Sequence, residues 1–307
     1  MNFEVFVLGT SGMMPLPNRN LTSAMIRREG ELFLFDCGEG TQISLKRLNL
    51  KWKKINSIFI SHMHADHVTG LPGMLMLSSQ VQRDDPLTLY GPSRLKEYVE
   101  ANRRILDMYI NYEIIVKTVE EGVILETEDY TVKAFELNHT KPCFGYVFEE
   151  KNRPGEFHPD LAQSLDVPMG PLWGRLQKGE TVTLDDGKVI HPTDVLGPTR
   201  SGRKFSYVTD SLYLPSIADH VRSSDLFLCE GMFTDDLRDS AKEKKHMTAG
   251  DAARIAKDAE VAELGLLHYS PRYSDYELRF LLQDAKKVFA NTVLSKDRMR
   301  FNIPLKD

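Results

Sequence analysis

Cysteine is scarce in this chain. Three occur in 307 residues, at Cys37, Cys143 and Cys229, and no two are close enough to form a C-x-x-C pair. That excludes a disulfide framework and a thiolate-held zinc site, and it fits a reducing cytoplasm. Long apolar runs are also missing, and none approaches the ~20 residues a membrane helix needs. The opening segment, residues 1–9, has no basic start, carries Glu4 and ends in a glycine, so it does not read as an export signal. A basic excess is absent as well, since the formal net charge is −5. Bulk charge therefore does not mark a nucleic-acid binder, although phosphate contact needs only a local basic surface. What is present is ordinary for a soluble globular chain, 41% hydrophobic and 27% charged, with enough length for one large domain or two small ones.

Against that background residues 62–67 stand out as His-Met-His-Ala-Asp-His, directly behind the apolar run Ile58-Phe59-Ile60. Core packing has no use for three imidazoles and a carboxylate within six positions. Both groups bind Zn²⁺ and similar ions, at about 2.0–2.2 Å. In extended chain, residues two apart point the same way, so His62 and His64 can grip one ion while Asp66 and His67 address a second. Two ions about 3.5–4 Å apart clamp the centre of an in-line hydrolysis. The motif predicts a binuclear metallohydrolase.

The rest of the chain supplies a frame for that motif. Segments 3–8, 24–28, 32–36, 57–60, 87–90, 112–116, 123–125, 131–137 and 143–149 read as strands, and helices follow Gly40 and Ser93. From 151 to 204 proline and glycine become frequent, and Asp185-Asp186-Gly187 between alternating residues signals a hairpin. This stretch keeps Leu161, Leu165, Leu172, Trp173 and Leu176, which a solvated linker would not need. It reads as an arm inserted into a single domain spanning 1–307. Strands at 205–209, 226–229 and 263–267 then alternate with helices at 214–221, 248–259 and 275–289. Two sheets covered by outer helices predict an α/β protein, a four-layer αββα sandwich.

Three more donors repeat the setting of His62. His139, Asp210 and His268 each come one or two residues after an apolar strand. Chemistry then divides the set. His62, His64 and His139 suit one ion, Asp66, His67 and His268 the other, and Asp210 can bridge them with its two oxygens. A bridging water of lowered pKa would be the nucleophile, and Asp66 a candidate base. Asp36, at the end of its own strand, is a candidate hydrogen-bond partner for a ligand imidazole.

These residues resemble the metallo-β-lactamase superfamily and, within it, the ribonuclease Z family of tRNA 3′-processing endoribonucleases. The resemblance runs through Phe35-Asp36-Cys37-Gly38-Glu39-Gly40, the metal motif and Leu71-Pro72-Gly73. It continues in Pro168-Met169-Gly170-Pro171-Leu172, His246-Met247-Thr248 and His268-Tyr269-Ser270-Pro271-Arg272-Tyr273. It implies two zinc ions per subunit, with Mn or Mg possible in their place. It also implies a tRNA precursor as substrate, cut to leave a 3′-hydroxyl on the tRNA and a 5′-phosphate on the trailer. The 151–204 arm would be an exosite for the tRNA elbow, with Gly170 and Pro171 among its contacts. A homodimer is expected, with one subunit's arm serving the other's active site. His246 paired with Glu230 would stabilise charge or protonate the leaving oxygen. Three positions depart from the family's frequent pattern. Cys229 precedes Glu230 where histidine is common, Ser211 follows Asp210 where threonine is common, and Pro17 replaces a lysine in the loop Pro15–Asn20, which also holds Arg19.

Substrate contacts are expected from Arg272, four residues after His268, and from Arg19. The run Lys46–Lys54, which holds one aromatic, Trp52, and no acid, and the cations Arg175, Lys178, Arg200, Arg203 and Lys204 could face RNA phosphates. The alternatives are a small-substrate phosphodiesterase of the same fold and a non-catalytic RNA-binding scaffold. The former needs no distant arm, and the latter needs no complete ligand set.

Overall fold

The computed structural model describes residues 2–306. Its strands are β1 Phe3–Gly9, β2 Ser23–Arg28, β3 Glu31–Phe35, β4 Ile55–Phe59, β5 Leu87–Gly91, β6 Ile114–Thr118, β7 Gly122–Glu126, β8 Tyr130–Leu137 and β9 Cys143–Glu150. They continue as β10 Val182–Thr183, β11 Val189–Ile190, β12 Lys204–Val208, β13 Leu226–Glu230, β14 Leu264–Leu267, β15 Thr292–Leu294 and β16 Arg300–Asn302. One seven-stranded sheet has the order β16-β1-β2-β3-β4-β5-β6, and a second has β15-β14-β13-β12-β9-β8-β7.

Strand alternation explains the layering. On β3, Phe33 and Phe35 point toward the other sheet, where Phe33 lies 5.1 Å from Phe148 and Phe35 5.4 Å from Phe205, ring centre to ring centre. Leu32 and Leu34 point the opposite way and pack with Leu45, Leu71, Met74 and Leu95 from the helices Thr41–Arg47, Leu71–Gln80 and Arg94–Ile105. The second sheet does the same, with Phe227, Cys229, Leu264 and Leu266 packed under Ala252, Ala256, Leu278 and Leu281 of two further helices. The result is the four-layer αββα sandwich. β3, β4, β5 and β6 run parallel, as do β12, β13, β14 and β15. Open parallel sheets bind ligands beyond their carboxyl ends. That rim is where the motif of residues 62–67 emerges.

The chain divides into two compact units, the sandwich and a smaller one built mainly on Glu150–Arg203. The smaller unit has a core of Ala162, Val167, Leu176, Val182, Ile190 and Val195, with Phe157 and Trp173 packed against it. β10 and β11 form an antiparallel hairpin whose turn passes through Gly187 at φ 86°. Two short helices, Pro159–Ser164 and Pro171–Gln177, were not expected from the sequence. Gly170 and Pro171 are exposed at the start of the second. Arg203 corrects an expectation. It is 2% exposed, and its guanidinium grips Glu150 through Nε at 2.7 Å and Nη2 at 2.8 Å, so it offers nothing to RNA. Arg175 is paired with Glu180 at 3.0 Å. No helix among the described residues is long and apolar enough to cross a membrane.

Candidate metal centre

Each donor sits where a strand releases the chain. β4 runs out through Ile60 and Ser61 into His62 and His64, and the short helix Ala65–Val68 turns Asp66 and His67 back toward them. His139 follows β8, Asp210 follows β12, His268 follows β14, and Glu230 is the last residue of β13. Asp36 and His268 hold φ of 53° and 58°, unusual for non-glycine residues. Such strain persists only where surrounding structure over-determines it.

Two groups of donor atoms converge. In the first, His62 Nε2 lies 2.9 Å and His139 Nε2 3.1 Å from His64 Nδ1, and both lie 3.6 Å from Asp210 Oδ2. In the second, His268 Nε2 lies 3.2 Å from His67 Nε2, 3.3 Å from Asp66 Oδ2 and 3.2 Å from Asp210 Oδ1. Asp210 thus turns one oxygen to each group. Four ligands at about 2.0–2.1 Å around a tetrahedral ion stand about 3.3 Å from one another, which these separations approach. Imidazole nitrogens this close repel unless a proton or cation lies among them. Asp210 Oδ1 is buried with no hydrogen-bond donor, an orphan that a cation would satisfy. Both groups therefore fit a divalent ion, with nitrogen and oxygen donors and no thiolate.

The surrounding partners fix ring orientation. Asp36 Oδ2 accepts from His67 Nδ1 at 2.7 Å, Ser61 Oγ at 2.8 Å and Tyr207 Oη at 2.9 Å, while Oδ1 accepts the Ser61 amide at 2.7 Å. Lys245 O accepts from His139 Nδ1 at 2.9 Å, which leaves Nε2 as the donor to a metal. The Met13 amide donates to Asp66 Oδ2 at 2.7 Å. Gly12 passes so close to His268 that a β-carbon there would stand 2.7 Å from Cε1 of the ring. Ser61, Tyr207, Gly12 and Met13 were not identified from the sequence. Ser61 is the one with a visible signal, since it lies between the strand end and His62.

The charge balance favours a cation. Burial, and then the neighbouring imidazoles, hold His62 well below its ordinary value; burial and His139 lower His64; and burial lowers His139. Neutral rings of this kind are the ligating form. For His67 burial acts downward, but Asp210, Asp36 and Asp66 outweigh it and raise the ring, so positive charge is favoured at the place a bound cation would take. Burial raises Asp66, yet His67 and His268 overcome it and keep the carboxylate ionised. His246 Nδ1 lies 2.9 Å from Glu230 Oε2, and the Ser211 amide holds Glu230 Oε1 at 2.6 Å. Burial lowers His246, but Glu230, with Asp210 and Asp66, raises it to about 9.

A cavity of about 520 Å³ opens over both groups. Asp66, His139, Asp210, His246 and His268 line it, and so does Arg272. Arg19 does not. It is 5% exposed, donates to Tyr273 O at 2.5 Å and pairs with Asp275 at 3.2 Å, so the expected substrate contact is replaced by an internal one. The three cysteines are buried and free.

A family model described as anti-Pycsar protein Apyc1 matches residues 3–157. A ribonuclease Z of Treponema denticola is 62% identical over all of this chain and all of its own. A ribonuclease Z of Borrelia hermsii is 43% identical, with 98% of this chain and 97% of that one covered. Among solved structures, human tRNase Z, short form, superposes with a TM-score of 0.71 at 27% identity, covering 98% of this chain and 100% of that one. A metallo-β-lactamase fold protein of Bacillus subtilis, YhfI, superposes with a TM-score of 0.70 at 19% identity, which bears on the fold alone; it covers 98% of this chain and 100% of that one.

Proposed function

We infer, from a chain that belongs to the ribonuclease Z family and is a metal-dependent endoribonuclease, that it removes the 3′ trailer from tRNA precursors. The observation that carries this reading is the pair of donor groups sharing Asp210, with His246 and Glu230 beside them. His62, His64, His139 and Asp210 would hold one ion, and Asp66, His67, His268 and Asp210 the other. Zinc suits this donor set best, with Mn or Mg as substitutes. When bound, such ions supply an activated water and offset the charge of the phosphodiester.

The chain's own residues do the rest. Asp66 stays ionised and is oriented by the Met13 amide, so its carboxylate can ligate and accept a proton. His246, protonated and fixed through Nδ1 on Glu230, has Nε2 left to donate to the leaving 3′ oxygen. Products would be a 3′-hydroxyl on the tRNA and a 5′-phosphate on the trailer. Arg272 would hold a neighbouring phosphate. The 151–204 segment is proposed as an exosite arm, with Gly170 and Pro171 in contact with the tRNA elbow. The working unit is proposed to be a cytoplasmic homodimer in which each arm serves the partner's site.

The test is a tRNA precursor with a labelled 3′ trailer. Release should require metal and vanish in Asp66→Ala. Deleting 151–204 should impair that cleavage and spare bis-p-nitrophenyl phosphate. Equal loss on both substrates would refute the exosite, and turnover of the small diester alone would favour a small-substrate phosphodiesterase.

A further inference from the structure

Three carboxylates, Asp66, Asp210 and Glu230, border the donor cluster. RNA is a polyanion. Bound ions would meet one phosphate, but the neighbouring phosphates need their own cations. The cavity wall carries two, both placed by a single aromatic ring. Arg272 Cζ stands 4.9 Å from the centre of the Phe233 ring, and Lys244 Nζ stands 5.9 Å from it. Both line the cavity together with His64, Asp66 and His246. Phe233 is 1% exposed, and its carbonyl accepts the Ala249 amide, so the ring is a fixed support.

The two adjacent lysines are not equivalent. Lys245 is committed, since its Nζ donates to His139 O at 3.2 Å and its carbonyl orients the His139 ring. Lys244 has an exposed side chain and, like Arg272, makes no ion pair with a carboxylate among the described residues. Cations that stay unpaired beside three carboxylates are available to an incoming anion. A ring between them limits their collapse onto Asp66 or Asp210.

We propose that Lys244 and Arg272, bracketing Phe233, form a paired subsite for the RNA phosphates flanking the scissile one, and that Lys244 sets the preference for a polyanion over a single diester. This rests on the endoribonuclease reading above. A small diester has one phosphate, which the donor cluster occupies. An RNA strand brings neighbours that only the rim cations can meet.

The experiment measures binding of a 5′-phosphorylated single-stranded oligoribonucleotide to the full-length, metal-loaded protein by fluorescence anisotropy across a salt series. Each phosphate contact on a single strand contributes about 0.7 to the slope of log K against log salt. Lys244→Gln should lower the slope by about 0.7, and Lys244→Gln with Arg272→Gln by about 1.4. Lys244→Arg should restore it. Lys242→Gln, on the exposed face of the helix Arg238–Glu243, should leave it unchanged. An unchanged slope in Lys244→Gln, or an equal loss in Lys242→Gln, overturns the proposal. Trailer release by the unmodified protein is scored separately. Its failure would overturn the tRNA reading, while the slopes would still decide the subsite.

Discussion

A single methyl group at Gly12 should disable the centre without disturbing the fold. The loop that carries Gly12 is pinned against the strand end of His268, with the Gly12 amide donating to Tyr269 O at 3.0 Å and the Tyr269 amide to Thr10 O at 2.9 Å. A β-carbon at Gly12 would lie 2.7 Å from His268 Cε1 and 2.9 Å from Nε2. Carbon atoms rest at about 3.5–4.0 Å, so the ring must retreat by roughly 0.8 Å or more. Its Nε2 now stands within 3.3 Å of His67, Asp66 and Asp210 donors, and that retreat breaks the convergence. Misplacement by about 1 Å costs about 10²-fold in rate. Gly12 has no positive φ, so alanine brings no backbone strain of its own. Gly12→Ala should therefore keep the native fold with a modestly lower melting temperature, the overpacking costing about 1–3 kcal/mol, lose affinity for one of two ions, and cleave about 10²-fold more slowly. Metal titration against a chromophoric chelator, thermal melting and trailer release check the three parts. Gly174→Ala is the control for metal affinity and melting, because it belongs to the smaller unit and not to the donor cluster, and its β-carbon would meet nothing within 4 Å. Native metal affinity and native rate in Gly12→Ala would refute the steric argument.

Two further outcomes follow from the hydrogen-bond partners. Asp36→Asn places an amide NH₂ or a lone oxygen opposite four donors, so at least one contact from Ser61, Tyr207 or His67 becomes repulsive; metal affinity should fall about 10- to 100-fold by competition titration, and native affinity would show that Asp36 is only a turn residue. His246 is raised to about 9, so it stays protonated through neutrality and loses its proton as pH rises through that value. If it is the proton donor, kcat should decline above about pH 9. Glu230→Gln should move the decline toward the ordinary histidine value near 6.5, and coincident pH–rate profiles would exclude the pair from proton donation.

Much of the centre was legible because its parts are side chains of distinctive type in a recurring local setting. A strand that ends at a ligand site leaves an apolar run followed by His or Asp, and this chain repeats that pattern at His62, His139, Asp210 and His268. Other parts were misread where a local signal had a second meaning. The helix Leu71–Gln80 went unrecognised because it opens on Leu71-Pro72-Gly73, although a proline in the first turn has no hydrogen bond to lose. β15 and β16 have three residues each, too few for alternation to register. Arg19 and Arg203 looked like surface cations. Their partners, Tyr273 and Asp275 for one and Glu150 for the other, lie 53 to 256 positions away in sequence and become neighbours only on folding.

The main-chain partners form a different class, because no residue type announces them. The Met13 amide on Asp66 and the Lys245 carbonyl on His139 would be the same groups in any non-proline residue. Yet they decide chemistry that the ligands alone leave open. A carbonyl at His139 Nδ1 requires the proton there and so presents Nε2 to the ion. An amide on Asp66 Oδ2 fixes which face of the carboxylate turns inward. The ligand set can thus be read from composition and spacing, whereas tautomer and aim are set by where two loops pass. Gly12 is where that dependence becomes testable, since it shapes one such loop and contributes no donor or acceptor side chain.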